Sequence, residues 1–388
     1  MTSKAPLARI TAHPGSIPTI IGAGVASRSF PHFGATNEAL LVIDAGVLKR
    51  HMLLAEGARW VLEFDSATQS QQSLLDRLTT LIHREEEVTS VVGIGGGSTM
   101  DAAKLVRLSF VSKPSLRAAQ QYAGEFGIYL VPEAYGRRSL PLVLAPTTLG
   151  TGSEASSVAC LEGTGSRRLV AGSKMRADSI SVDPTLTRSL GEQGLREGTA
   201  EILLRIIGGY VGSPPGDVQD VAAEELAGRV ARLARTALDV GFDERVRTLL
   251  AVASGETHTG WALAGRDPYA AKHWYLANEI SFAGGARKVP ATLRILPAIW
   301  RRAMSGDHRF GDADRLRRIW QVIASELSLS PDPVEGASAW RVAWDIDLPD
   351  FSDVAIESAA KSCFRTWAGR RPALHGISED EIVAVYAA

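Results

Sequence analysis

The chain has 388 residues, 45% of them apolar and 22% charged, with a formal net charge of −1. That length can carry two domains, each with its own core, and the near-neutral balance excludes the basic footprint a nucleic-acid binder needs. Two cysteines, Cys160 and Cys363, with no Cys-x-x-Cys, exclude a disulfide scaffold and a zinc ribbon.

The first half alternates strand-like and helix-like segments. Ala39–Asp44 is a short apolar run ending in an acid, and Trp60–Phe64, Val88–Ile94 and Leu140–Ala145 are further runs. Segments of helical period, Ser73–Ile82 and Thr99–Ser109, lie between them. Strands alternating with helices predict a parallel sheet covered on both faces. Ile180–Val182 reads as a last short strand, closed by Asp183-Pro184, where proline blocks further pairing. Beyond it long helical stretches dominate: Glu197–Val211, Val218–Leu238, Asp243–Ala264, Pro290–Met304, Ala313–Leu327 and Val354–Ala368. The expectation is an α/β N-terminal domain over residues 1–188 and an all-α C-terminal domain over 189–388. Met1–Ser16 lacks the apolar core of a signal peptide, and no run approaches the roughly 20 apolar residues of a membrane span. A cytoplasmic protein is expected, without membrane or nucleic-acid partners.

The sharpest local signal is the strand Val91–Ile94 running into Gly95-Gly96-Gly97-Ser98 and a helix. Ser98 reads as the N-cap and Asp101 as a first-turn acid. Glycines that expose backbone N–H groups at a helix N-terminus make a phosphate cradle. A bare triple glycine is equally consistent with an empty tight turn. A second hydroxyl-rich loop follows another strand: Pro146-Thr147-Thr148-Leu149-Gly150-Thr151-Gly152-Ser153-Glu154.

Together, Gly95-Gly96-Gly97-Ser98-x-x-Asp101-x-x-Lys104 and the Pro146–Glu154 loop resemble the GGGSxxDxxK and PTTxGTGSE signatures of the iron-containing alcohol dehydrogenases, within the dehydroquinate synthase-like superfamily. Gly22-Ala23-Gly24, Asp183-Pro184-x-Leu186-Thr187 and Arg371–Leu374 followed by Ser378–Ile382 are similar to further landmarks of that family. The resemblance implies a Rossmann-like nucleotide domain, a helical domain, NAD as cofactor, a dehydrogenase activity on CH–OH, and a homodimer or larger homo-oligomer. It implies nucleotide contacts from Gly95, Gly96, Gly97, Ser98, Asp101, Thr147, Thr148, Thr151 and Ser153. Asp44, ending the first predicted strand, either accepts the ribose hydroxyls or serves as an ordinary turn aspartate.

The same resemblance implies a metal site, and here the sequence departs from it. Glu201 keeps the acid of the family's first ligand pair, but Arg205 stands where a histidine is expected four residues on. His273 is the later histidine by resemblance, and Ala291, after Pro290, replaces the last. A guanidinium has no lone pair to give and repels a cation. Metal is therefore doubtful, with Glu201 and His273 as residual ligand types. The alternative is an ordinary helix ion pair between Glu201 and Arg205.

Without metal, hydride transfer needs a general base, His273 first and Glu201 second. Arg205, Arg294 and Lys174 are candidate ligands for a substrate carboxylate. A β-hydroxy acid so oxidised would decarboxylate. In its eroded site the chain is similar to the daptide-type peptide dehydrogenases of natural-product biosynthesis, which oxidatively decarboxylate the C-terminal threonine of a ribosomal peptide. A metal-dependent alcohol dehydrogenase, a sugar-phosphate cyclase, and a non-catalytic NAD-binding partner subunit remain the alternatives.

Overall fold

A computed structural model describes residues 8–10, 17–29, 38–81, 87–122, 127–133, 140–163 and 165–388. The chain divides into two compact units, 1–191 with 247–259, and 192–246 with 260–388.

In the first unit the chain runs β1 (Ala8–Ile10), β2 (Thr19–Ile21), α1 (Val25–Ser29), β3 (Ala39–Asp44), α2 (Ala45–Arg50), β4 (Ala58–Phe64), α3 (Gln71–Leu81), β5 (Ser90–Gly95), α4 (Gly97–Val111), α5 (Lys113–Tyr122), β6 (Ile128–Leu130), β7 (Leu142–Pro146), β8 (Val158–Gly163), β9 (Ser166–Ala171) and β10 (Ser179–Val182). Among the described residues one sheet has the order β1-β2-β10-β7-β5-β3-β4, parallel except for the β1–β2 pair. The central strands are buried on both faces, which is why they read as continuous apolar runs. In β3, Leu40 and Val42 join the core with Leu74, Met100 and Leu105, while Leu41 and Ile43 join the opposite core with Val47, Val92 and Val143.

A smaller sheet, β6-β9-β8, was not anticipated. Its hairpin strands bury one face only, through Ala159, Leu161 and Val170, and mix in charged residues such as Arg167 and Arg168. Asp183, after β10, is nearly fully buried and accepts bonds from the backbone N–H groups of Gly24, Ala26 and Thr185. The Asp183-Pro184 turn thus holds the early glycine turn, where Gly24 adopts φ 66°.

The rest of the chain is helical: α6 (Glu192–Val211), α7 (Asp217–Val240), α8 (Glu244–Thr259), α9 (Lys272–Ala283), α10 (Lys288–Met304), α11 (Ala313–Leu327), α12 (Pro333–Ala343), α13 (Asp353–Trp367) and α14 (Glu379–Ala387), with β11 (Ala368–Gly369) and β12 (Leu374–His375) as a two-residue ladder, and all of these but most of α8 make up the second unit. Residues 247–259 of α8 cluster with the α/β unit, whereas the sequence reading placed that whole helix beyond the boundary at 188. The reason is local: Arg247 donates to the Thr187 carbonyl, and a Cβ on Gly152 would run into His258. No helix among the described residues is long and apolar enough to cross a membrane.

One ion network ties α7, α11 and the segment before α9 together. Asp220 receives both Arg315 Nη1 (2.6 Å) and Nη2 (2.8 Å), and Arg266 Nη2 at 2.9 Å. Hydrogen bonds from Arg315 hold the Asp220 carboxyl well below the usual carboxylate range, outweighing its partial burial. A carboxylate depressed in the folded state stabilises the fold fully above its unfolded pKa near 4, and that contribution is lost as pH falls towards the folded value. Asp220→Asn should therefore cost about 3 kcal/mol at neutral pH. The denaturant midpoints of wild type and variant, measured from neutrality downwards, should converge at acid pH.

Candidate active site

Both signature loops leave the C-terminal ends of adjacent parallel strands. Gly95 of β5 pairs with Pro146 of β7, and Thr147 N donates to the Gly95 carbonyl at 3.0 Å. The chain goes outward from β3 to β4 and returns to place β5 on the other side of β3. The carboxyl ends of β3 and β5 therefore flank a topological switch point, the position where doubly wound sheets bind ligands. Asp44 and Gly95–Ser98 lie there.

The glycines are explained first by packing. A Cβ on Gly96 would sit 3.1 Å from Thr148 Cγ2, and one on Gly97 would sit 2.9 Å from Thr151 Cγ2. The two loops are stacked, glycine against threonine, leaving the first-turn N–H groups of α4 without intrahelical acceptors. Thr148 Oγ1 is buried and has no hydrogen-bond partner. A buried hydroxyl left unbonded beside a helix N-terminus fits a nucleotide that would bond to it.

Several expected roles shift. Ser98 does not cap α4: the helix starts at Gly97, its N-cap is Gly96, and Ser98 is the exposed second residue. Flexible glycine lets the helix begin earlier than Ser98, so Asp101 falls beyond the first turn. Asp101 and Ser153 face each other rather than outward. Ser153 Oγ donates to Asp101 Oδ1 at 2.5 Å, and the Cys160 N–H donates to Oδ2 at 2.9 Å. Lys104, fully buried, donates to Ser153 Oγ and the Val158 carbonyl, both at 2.8 Å, and to Asp101 at 3.3 Å. Burial pulls the Lys104 ammonium down from its ordinary range, opposed by Asp101 and then Glu154. This trio clamps the threonine loop and β8 to α4. Asp44 Oδ1 caps α2 by accepting from Gly46 N (2.9 Å) and Val47 N (3.1 Å). Oδ2 has no hydrogen bond among the described residues. Lys174 is spent on the backbone, donating to the carbonyls of Pro132 and Glu133.

In the helical unit, α6 presents Glu197, Glu201, Arg205 and Gly208 along one stripe, at the spacing of successive turns. Arg205 Nη2 pairs with Glu201 Oε1 at 3.2 Å; their side chains are 12% and 18% exposed. Glu197 Oε1 lies 2.9 Å from Arg287 Nη2, close as an ion pair but not aligned as a hydrogen bond. Burial pushes the Glu197 carboxyl up, against the pull of Arg287.

His273, near the start of α9, packs on Gly208, where a Cβ would collide with its ring. It borders a cavity of about 10 Å³, roughly the room one water needs, shared with Lys272, Trp300 and Phe310. His273 is buried, its Nε2 has no partner, and its pKa is pushed down to about 3 by burial first, then by Lys288 and Arg205. Its imidazole is therefore neutral and a weak base as it stands. Arg294, half-buried on α10, makes no hydrogen bond or ion pair among the described residues. Ala291 is fully buried.

These residues do not fit a catalytic metal. Arg205, where the resemblance leads one to expect a histidine ligand, is a guanidinium that engages the Glu201 carboxylate, and Ala291, where it leads one to expect the last ligand, has no donor atom. Among the described residues no three His, Cys, Asp or Glu side chains come together as a ligand set. Sequence reasoning placed Lys104 in the glycine-loop signature without assigning it a role, and missed Glu197, Arg287 and Lys288. The i, i+4 repeat of charges at 197, 201 and 205 in an otherwise apolar helix was the available signal.

The chain joins a parallel sheet, with two hydroxyl- and glycine-rich loops at its switch point, to a helical unit. Residues 16–184 match the iron-containing alcohol dehydrogenase family. The long-chain-alcohol dehydrogenase 1 of Geobacillus thermodenitrificans is 30% identical over 174 residues, 44% of this chain and 42% of that relative. The chain thus matches only about two-fifths of the length of the first curated relatives. The NADH-dependent butanol dehydrogenase A of Thermotoga maritima has the same fold, with a TM-score of 0.76 at 14% identity over 97% of this chain and 98% of that one. The sulfoacetaldehyde reductase of Bifidobacterium kashiwanohense, solved in complex with NAD+, aligns with a TM-score of 0.71 at 18% identity over 97% and 98%. The family resemblance read from the loops stands for the N-terminal stretch, and the fold for the whole chain.

Lys104→Met should leave Asp101 without its cation and cost about 3 kcal/mol in denaturant unfolding. It should also weaken NAD+ binding in a titration, because the threonine loop loses its clamp.

Proposed function

We propose that the chain is an NAD-dependent dehydrogenase that oxidises a secondary alcohol on a substrate carrying a carboxylate, without a catalytic transition metal. The observation that carries this reading is the Glu201–Arg205 pair, which puts a fixed positive charge where the family resemblance expects a metal ligand. An anion is the natural complement of such a position.

Asp44 Oδ2, the N–H groups of Gly97 and Ser98, and the hydroxyls of Thr147, Thr148 and Thr151 would hold NAD+. The acid at Asp44 favours a ribose with free hydroxyls over a 2′-phosphate. When bound, NAD+ supplies the hydride acceptor. Arg205 orients the substrate carboxylate. The hydroxyl proton needs an acceptor, and Glu201, partly exposed, is better suited than the enclosed and weakly basic His273. His273 then shapes and dries the pocket wall. This reverses the order of candidates that the sequence suggested.

Oxidation of a β-hydroxy acid gives a β-keto acid, which releases CO₂ and leaves a ketone. A peptide ending in threonine is the narrower candidate substrate, and a homodimer or larger homo-oligomer the expected assembly. The second reading, a nucleotide-binding subunit without turnover, is favoured by one observation: the burial that makes His273 a weak base.

NADH formation should appear with β-hydroxy acids or threonine-ended peptides and be much weaker with the matching neutral alcohols. Arg205→Met should lower kcat/KM for the acids by about a hundredfold, the loss of one charged contact made in a low-dielectric site. NAD+ binding without NADH formation from any hydroxy compound would favour the second reading.

A further inference from the structure

We infer that His258, on the last turn of α8, is a positioning residue for the cofactor: its ring holds the threonine loop so that Thr151 bears on the glycine loop. This rests on the NAD-binding part of the reading above and not on the substrate. Gly150 and Gly152, on either side of Thr151, take φ values of 96° and 59°. Both lie in the left-handed region that glycine adopts without strain, so the loop turns sharply twice around the threonine. A Cβ on Gly152 would run into the His258 ring and come within 2.9 Å of the Ser254 carbonyl oxygen. The ring is thus laid on the bare Cα of that glycine. Between those two residues of α8, Gly255 lies beside the next part of the loop, where a Cβ would sit 3.7 Å from Glu154 Oε1. His258 Nε2 is 3.4 Å from the Thr151 carbonyl oxygen. A carbonyl only accepts, so this is a hydrogen bond when Nε2 carries the ring proton.

Thr151 passes this contact on. Its Oγ1 accepts from the Ser153 N–H at 3.3 Å, and its Cγ2 methyl is the group that a Cβ on Gly97 would meet at 2.9 Å. The carbonyl of Thr151 is therefore met by α8, while its side chain borders the first turn of α4. Two residues further on, Ser153 is fixed by the buried Lys104–Asp101 pair. His258 supplies a second hold on the same loop, from a different helix, and residues 247–259 of that helix cluster with the α/β unit. The two holds bracket Gly152 and set the direction in which Thr151 faces Gly97. His258 is itself exposed, so its removal empties no core; what it orders is the loop. A loop already held does not have to be ordered when a nucleotide arrives, and the saving appears as affinity.

The test is calorimetric titration of the full chain with ADP-ribose, which carries the pyrophosphate but no reacting ring, and with AMP, which stops at the first phosphate. His258→Ala should weaken ADP-ribose about tenfold and leave AMP nearly unchanged, because ordering the loop costs affinity only for a ligand that reaches it. His258→Gln, which keeps an N–H at similar reach, should restore most of the loss. Thermal unfolding of each variant checks that the fold is kept, and His258→Ser provides a second short replacement. The inference is overturned if the alanine and serine variants bind ADP-ribose as wild type does. It is equally overturned if AMP weakens in parallel, which would mark a merely structural role, or if glutamine restores nothing. Failure of wild type to bind ADP-ribose or NAD+ at all would instead remove the NAD reading, and the wild-type titrations report that separately.

Discussion

The helical unit's candidate site is organised around one ion pair inside α6. Glu201 and Arg205 are one turn apart in a helix whose other side chains are largely buried and apolar, and each is held by the other at 3.2 Å. Removing a guanidinium from water is costly, so its position must be occupied by compensating charge. Glu201 supplies that charge. The same constraint propagates: Glu197 above it draws Arg287, and the start of α10 is pinned where Lys288 faces His273 and Trp274.

The nucleotide side follows a different logic. Its glycines permit two loops to stack on their threonines, and the buried Asp101–Lys104–Ser153 clamp fixes that stacking from beneath. Binding energy from a nucleotide can be used well only if the loops do not have to order themselves first. Rigid loops at the switch point, with an unbonded threonine hydroxyl between them, are the preorganised form of such a site.

How much of this was legible in the sequence varied with the physics. The central strands were legible because strands buried on both faces, such as β3 and β5, must be apolar without interruption. The β8–β9 hairpin was not, since it buries only alternate residues and one of those is a charged residue, Arg168, set opposite Leu161. Ser98 looked like an N-cap by residue type, but glycine at 96 and 97 let the helix begin sooner. Asp101 and Ser153 carried the right motif for nucleotide contact, yet their partner Lys104 is a tertiary fact: its burial cannot be read from a short pattern. Arg205 was legible as chemistry, because a guanidinium cannot ligate a cation in any fold. Lys288 was not, because its relation to His273 depends on how α9 and α10 pack.

The central claim is that positive charge has replaced metal chemistry. Elemental analysis of purified, catalytically active chain, paired with its turnover before and after chelation, tests it most directly. The account predicts far less than one iron or zinc per chain and turnover that survives the chelator. One equivalent of transition metal per chain, whose removal abolishes turnover and whose return restores it, would contradict the account.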